Sequence, residues 1–304
     1  MYIPSKIHPD YEKINEETSK WTIQFKLHLN DKEQYERENV VKLACMCYPN
    51  GNYDRTLLLS KWMVHVFALD DIVEGNVKCP FFDSLVKYGS ENKDVLASMD
   101  LCSEDKKTPL VTSFADIWEQ LKSFSNKAWQ KRFAENYIWY LKANDWERKN
   151  IETKRIPQLS EYLEYRHYIG GVDPSLNLIE IARNIFIPDA VAANVTFQRL
   201  SYLSGNVVAL VNDIYSYERE KFIGQINNIV SVMKHEHNIL DQEAIEKATD
   251  FVNGEIRKFS FLEPLLPTFD GEMNEIVQQY LDGCKMWMSG NYHWGLKSGR
   301  YIVR

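Results

Sequence analysis

The apolar residues of this chain recur with the period of an α-helix along most of its length, and strand-like alternation is weak. One helical pattern spans 57–73 and stops at Gly75. Others cover 111–124 and the aromatic-rich stretch 128–148. A further one starts after Pro157 and runs to Ile169. Gly170 and Gly171 should break it there, because glycine weakens a helix interior. Pro188 stands near the start of the next segment, 194–221, and the patterns at 242–259 and 272–288 complete the set. The expectation is an all-α fold of about ten helices in one domain over residues 1–304. No linker, repeat or low-complexity stretch divides the chain.

Composition narrows the function. Hydrophobic residues make up 44% and aromatics 13%, enough for a large core with aromatic surface left over. The net charge of −7 lacks the basic footprint of a nucleic-acid binder. Five cysteines, Cys45, Cys47, Cys79, Cys102 and Cys284, are odd in number and irregularly spaced. They form neither a zinc pattern nor a disulfide framework, so buried free thiols are expected. The first residues lack the apolar core of a signal peptide. No apolar run reaches the roughly 18 residues of a membrane helix. The expected location is the cytosol.

Two polar constellations interrupt apolar helices. The first is Asp70, Asp71 and Glu74 in WMVHVFALDDIVEG. Asp70 and Glu74 share a face at i and i+4. Acids at a helix C-terminus oppose the macrodipole, a cost that a bound cation would offset. A solvated helix end is the plain alternative. The second is Asn212, Ser216 and Glu220 in VVALVNDIYSYEREK. Steps of four drift only about 40°, so the three oxygens line one face. Glu220 is the longest and sits last, where side chains lean back toward the N-terminus. Asp213 and Glu218 point elsewhere and read as structural. Oxygen ligands of this kind suit Mg²⁺, which keeps waters and bridges to phosphates.

Taken together, FxxDDxxE and NDxxSxxxE resemble the class I terpene synthases, in the short single-domain form found in microbes. Asn212 lies 142 residues after Asp70, the order that family uses. Arg166 stands 46 residues before Asn212, at the place of that family's diphosphate-sensing arginine, and Gly170 falls at its helix break. Arg219 occupies a diphosphate-binding Lys/Arg position. Near the C-terminus, Arg300 and Tyr301 match an Arg-Tyr pair. The match runs from Phe67 to Tyr301. One departure is Ile169, where a polar link between sensor and glycine is expected.

The resemblance implies an enzyme that ionises a prenyl diphosphate and cyclises the carbocation, releasing diphosphate. Farnesyl diphosphate is the expected substrate, with geranylgeranyl and geranyl next. It implies three Mg²⁺ ions, with Mn²⁺ as a substitute. Asp70, Asp71 and Glu74 on one side and Asn212, Ser216 and Glu220 on the other would be the metal ligands, though Asp71 is also a candidate partner of Arg300 in the closed site. Arg166, Arg219, Arg300 and Tyr301 would bind the diphosphate. Phe67 and Trp294 would line a dry aromatic cavity, with Trp139, Tyr140 and Trp287 as further candidates; core packing is the alternative for each. A homodimer is a family-level expectation.

Other motifs carry less. His235 and His237 are two apart, on different helix faces, and read as surface. Cys45 and Cys47 form a lone CxC. Two other functions compete with cyclisation. A chain-elongating prenyltransferase would carry a second aspartate-rich motif, where this chain has Asn, Ser and Glu. A non-catalytic helical scaffold would not keep these acids in register.

Overall fold

The computed structural model describes residues 4–27, 32–74, 96, 97, 99, 100 and 108–302; within these, the side chains of residues 32, 34 and 72–74 are not described. Gly75, Cys79 and Cys102 lie outside the described residues. Among the described residues there are thirteen α-helices, two short 3₁₀ turns and no strand. The helices are α1 (Tyr11–Gln24), α2 (Lys32–Glu38), α3 (Val40–Cys47), α4 (Tyr53–Glu74), α5 (Pro109–Ser123), α6 (Lys127–Thr153) and α7 (Leu159–Arg166). There follow α8 (Val172–Arg183), α9 (Asp189–Ala192), α10 (Val195–Ile223), α11 (Ile229–His237), α12 (Asp241–Leu262) and α13 (Glu272–Gly295). A final 3₁₀ turn covers Gly299–Tyr301. None of the described helices is long and apolar enough to cross a membrane.

Local chemistry sets the helix ends. Asn194 caps α10 by accepting from the Phe197 amide at 3.0 Å, and Gly224 closes it in the left-handed region. Thr108 caps α5, whose first residue, Pro109, needs no amide partner. Asn126 caps α6 by accepting from the Trp129 amide at 2.9 Å.

Two helices carry the architecture. α4 packs on α1, α3 and α5, while α10 packs on α12 and α13. The space between α4 and α10 is closed by α8, α13 and the 3₁₀ turn at Gly299–Tyr301. Behind α4, Trp62, Phe114, Trp118, Trp129, Phe133 and Tyr137 form a continuous buried aromatic stack. Burial of such rings dominates core energetics and holds α4 rigidly against α5 and α6. The aromatic stretch predicted at 128–148 therefore mostly serves the core. Tyr140 is fully buried, and Trp139 is an exception of another kind: it is 52% exposed and stacks on Tyr168 at the surface. Neither lines the cavity described below.

Some expected boundaries move. α7 ends at Arg166 rather than at Ile169. Gly170 and Gly171 follow at φ +85° and +64°, a conformation that α7 and α8 cannot continue through. The His235-Glu236-His237 stretch forms the last turn of α11 and is exposed, and the Glu236 carboxylate accepts from the Leu159 amide at 2.6 Å. Cys45, Cys47 and Cys284 are buried and free, as expected.

Candidate active site

A cavity opens between the C-terminal half of α4 and the C-terminal half of α10. The space it borders, open solvent at its mouth included, is about 900 Å³. Met63, Val66 and Phe67 of α4, Val172 of α8, Val208 of α10 and Trp287 of α13 give it an apolar wall. At the mouth the wall turns polar: Asp70, Arg166, Asn212, Ser216, Glu220 and Arg300 all face the same space, joined by Arg219 and Tyr301. Phe67 and Asp70 are one helical turn apart, so the apolar wall runs directly into the acidic rim. On α10 the same spacing carries Val208 and Ala209 into Asn212, Ser216 and Glu220.

Arg166 is the most tightly held of these groups. Its Nε donates to Asp213 Oδ1 at 2.7 Å, and its Nη1 donates to the Ile169 carbonyl at 3.0 Å. Its Nη2 donates to the Ala209 carbonyl and to Asn212 Oδ1, both at 3.1 Å. Burial works against the charge, but Asp213, with Tyr162, Glu147 and Glu220 around it, outweighs burial and keeps the guanidinium pKa above its ordinary value. Asp213 is in turn fixed from three sides. Tyr162 Oη donates to its Oδ2 at 2.5 Å, and the Ile229 amide donates to the same oxygen at 3.0 Å. Burial pushes its carboxyl pKa up, against the pull of Arg166.

Ile169 gives this arrangement an unexpected part. Its side chain offers no polar link between Arg166 and Gly170, but its backbone carbonyl accepts from Arg166 directly. Gly170 then passes so close that a Cβ on it would lie 2.9 Å from Arg166 Nη1. The arginine and the glycine are thus coupled through main chain.

On the opposite rim, Arg300 Nη2 donates to Asp70 Oδ2 and to Asp71 Oδ1, each at 3.0 Å. Its Nη1 donates to Glu38 Oε2 at 2.9 Å. The guanidinium also lies 4.7 Å from the centroid of the Phe67 ring. Next to it, the Tyr301 hydroxyl accepts from Asn212 Nδ2 at 2.8 Å. Burial raises the phenol pKa against the pull of Arg300, so the hydroxyl keeps a proton to donate. Asn212 therefore bridges the two rims, its Oδ1 on Arg166 and its Nδ2 on Tyr301. Glu220 Oε2 accepts from Asn228 Nδ2 at 2.9 Å, and Ser216 Oγ donates to the Asp213 carbonyl at 3.3 Å.

Two expectations need correction or completion. Trp294 does not line the cavity. Its ring meets Phe67 edge-on at 5.8 Å and Tyr301 at 5.7 Å, and its Nε1 donates to the Asn39 carbonyl at 3.0 Å. It supports the lining from behind, held there by the bond from its indole N–H to the Asn39 carbonyl. The side chain of Glu74 lies outside the described residues. Sequence reasoning set Asp213 aside as structural, without its link to Arg166, and passed over Tyr162 and Glu38. Tyr162 stands four before Arg166, a spacing that could have been noticed; nothing in the sequence points to Glu38.

The donor chemistry can be tested against a divalent cation. Among the described residues, no three His, Cys, Asp or Glu side chains gather into one metal-binding group. The acids are divided between α4 and α10, and two of the three α10 groups are an amide and a hydroxyl. Such a divided, all-oxygen set fits a hard cation that keeps water and completes its shell with phosphate oxygens.

Comparison with known proteins agrees with this geometry. Residues 61–258 match the family model of terpene synthase family 2, C-terminal metal binding. Pristinol synthase of Streptomyces pristinaespiralis is 27% identical over 312 aligned residues, covering 98% of this chain and 82% of that protein. A (+)-T-muurolol synthase ((2E,6E)-farnesyl diphosphate cyclizing) of Roseiflexus castenholzii is 26% identical, covering 97% and 90%. In fold, the crystal structure of a-eudesmol synthase superposes with a TM-score of 0.81 at 20% identity, over 98% of both chains. With the family model spanning well over half of its residues, the chain belongs to the class I terpene synthases.

Proposed function

We propose that this terpene synthase is a Mg²⁺-dependent sesquiterpene cyclase, acting as one domain over residues 1–304 on farnesyl diphosphate and releasing diphosphate. The observation that carries the reading is the convergence of two motifs 142 residues apart on one cavity mouth, with Arg166, Arg219, Arg300 and Tyr301 between them. The farnesyl preference is supported by the substrate in the name of the Roseiflexus relative.

In this reading Asp70, Asp71 and Glu74 hold cations on one side, and Asn212, Ser216 and Glu220 hold one on the other. Bound there, three divalent ions would act as Lewis acids toward the leaving diphosphate. The chain's own residues do the rest. Arg166, Arg219 and Arg300 donate to phosphate oxygens in the planar, forked geometry that guanidinium groups offer. Tyr301 donates its retained proton to another. Asp213 and the Ile169 carbonyl keep Arg166 aimed, so the donors are preorganised before the charge develops. The wall of Met63, Val66, Val172 and Val208 keeps water from the allylic cation, and the rings of Phe67 and Trp287 offer it π-faces.

The test is incubation of the purified protein with geranyl, farnesyl and geranylgeranyl diphosphates, with and without Mg²⁺, followed by gas chromatography–mass spectrometry. The expected result is a C15 hydrocarbon or alcohol from farnesyl diphosphate only when Mg²⁺ is present. Return of all three substrates intact in Mg²⁺ overturns the reading. A longer prenyl diphosphate formed when isopentenyl diphosphate is added beside each of them would assign condensation instead.

A further inference from the structure

The segment from Arg166 to Asp173 is a partition between two spaces. Arg166, Ile169, Gly170 and Val172 line the cavity, while His167 and Asp173 line a separate groove on the other side, together with Tyr202. His167, just past the end of α7, meets Asp173 in the first turn of α8, and its Nε2 donates to Asp173 Oδ2 at 3.0 Å. The two side chains are 8% and 16% exposed, so solvent ions screen the pair weakly. The imidazole is held on two further sides. Its ring centroid lies 4.1 Å from that of Tyr202, and its Nδ1 faces Asn206 Oδ1 at 3.3 Å. Asn206 is itself tied to α12, its Nδ2 donating to Glu255 Oε2 at 3.1 Å. His167 is thereby referenced to α10, the same helix that binds Arg166 through Ala209, Asn212 and Asp213.

We propose that His167 and Asp173 form a clasp across the Gly170–Gly171 turn, which fixes the Ile169 carbonyl and so aims Arg166 at the diphosphate. Its aim toward diphosphate rests on the proposed function; the ordering of the turn does not. The Ile169 amide is anchored to α7, donating to the Tyr165 carbonyl at 3.0 Å, and the Gly171 carbonyl is anchored to α8, accepting from the Ser175 amide at 3.1 Å. The carbonyl that Arg166 grips lies between these anchors, next to two glycines with wide conformational freedom. Its direction therefore follows from the spacing between the end of α7 and the start of α8, and the His167–Asp173 bond sets that spacing. Opening the bond lets the turn sample other conformations, and Nη1 loses an acceptor at a fixed place. Asp213 and the α10 oxygens still hold the other nitrogens, so the loss is partial. His167 and Asp173 are positioning residues: they lie outside the cavity and act through the turn and the guanidinium. Charge alone predicts the opposite sign, since removing the Asp173 carboxylate lowers the repulsion of an anion.

The test uses the full chain and two readouts: amide hydrogen exchange over residues 168–172 without ligand, and calorimetric binding of inorganic diphosphate in Mg²⁺. In Asp173→Ala, exchange should quicken about tenfold and the diphosphate Kd should rise about tenfold. Asp173→Asn keeps an oxygen within reach of Nε2 and should bring Kd back to within about threefold of the unaltered chain. His167→Phe keeps the ring against Tyr202 and removes both nitrogens. It should match Asp173→Ala in both readouts, and it carries the test if that variant does not fold. Adding Asp173→Ala to His167→Phe should cost less than about a further threefold. Unchanged exchange, unchanged or tighter diphosphate binding, or full additivity of the two losses each overturns the proposal. If the unaltered chain binds no diphosphate, the functional reading falls and the aiming role with it, while exchange still decides whether the clasp orders the turn.

Discussion

A Cβ on Gly170 would lie 2.9 Å from Nη1 of Arg166, and that nitrogen is pinned by its bond to the Ile169 carbonyl. Gly170 also sits at φ +85°, where an L-residue is strained. Gly224 provides the control: its φ is +79°, but nothing lies within 4 Å of its Cβ position. Alanine at either site should cost about 1–3 kcal/mol of stability through backbone strain. Only Gly170→Ala should displace Arg166, and a displacement of this kind costs roughly a hundredfold in kcat. Thermal unfolding and steady-state kinetics of the two variants check this. Equal kcat losses would remove any special link between Gly170 and Arg166.

Asp213 has no place at the cavity mouth as a ligand in this reading, yet its replacement should be among the most damaging. It is the sole carboxylate bonded to Arg166 among the described hydrogen bonds and ion pairs. Asp213→Asn leaves a buried guanidinium without its counter-charge, a loss of about 3–5 kcal/mol. Tyr162→Phe removes one neighbouring hydrogen bond and should cost about 1 kcal/mol. Urea unfolding of the two variants should give that order. A Tyr162→Phe loss as large as that of Asp213→Asn would mean that the phenol, not the ion pair, anchors Arg166.

What could be read from the sequence, and what could not, divides along a physical line. Register within one helix is visible in a string of residues. Asn212, Ser216 and Glu220 share a face on any helix, and they line one cavity here. Contacts between distant segments are not visible: the bond from Arg300 to Glu38 closes a separation of 262 residues. Nor is main-chain chemistry, which no side-chain identity encodes. Ile169 looks like a missing polar link, whereas its carbonyl makes the link. Aromatic residues are ambiguous because core and cavity both use them. Trp287 faces the cavity, Trp294 stands behind it, and Trp139 lies at the surface. The all-α class follows from periodicity over long segments. Helices as short as α2 and α9 carry too few residues to show a period.

Two buried groups of opposite sense should nearly cancel in the acid stability of this protein. His65 is fully buried between Ser113 Oγ and Tyr137 Oη, and burial lowers its pKa to about 3 from 6.5. Below pH 6.5 the unfolded chain binds a proton that the folded chain refuses, so stability falls as pH falls through that range. Glu180 behaves in the opposite way. Burial raises its pKa to about 7 from 4.5, despite its bond to Arg132. Between pH 7 and 4.5 the folded chain binds the extra proton, so stability rises as pH falls. From pH 7 to pH 5 each effect amounts to about 2 kcal/mol. Glu180→Gln should therefore lose about 2 kcal/mol more than the unaltered chain over that interval, and His65→Gln about 2 kcal/mol less. Chemical denaturation at pH 7, 6 and 5 measures this directly. Parallel pH profiles for all three proteins would rule out both shifts.

Phe67 and Trp294 look alike in the sequence but should fail in different ways. Phe67 lines the cavity, with the Arg300 guanidinium 4.7 Å from its centroid and the Trp294 edge at 5.8 Å. Under the proposed function its ring has two tasks: to hold Arg300 and to present a π-surface to the allylic cation. Phe67→Leu removes both. Losing a desolvated cation–π contact of about 1–2 kcal/mol should slow turnover by roughly tenfold. The product mixture should also shift toward acyclic and monocyclic terpenes, released before later ring closures. Trp294 meets the cavity-lining rings of Phe67 and Tyr301 without lining the cavity itself, and its Nε1 donates to the Asn39 carbonyl beside α2. Trp294→Phe keeps the edge contact and loses that hydrogen bond. It should lower stability by about 1 kcal/mol, the worth of one hydrogen bond, since the Asn39 carbonyl keeps the Lys42 amide as a donor, while the product mixture stays as it was. Product profiles from farnesyl diphosphate, set beside thermal unfolding of both variants, separate the two roles. An altered product mixture from Trp294→Phe with unchanged stability would return that residue to the cavity wall.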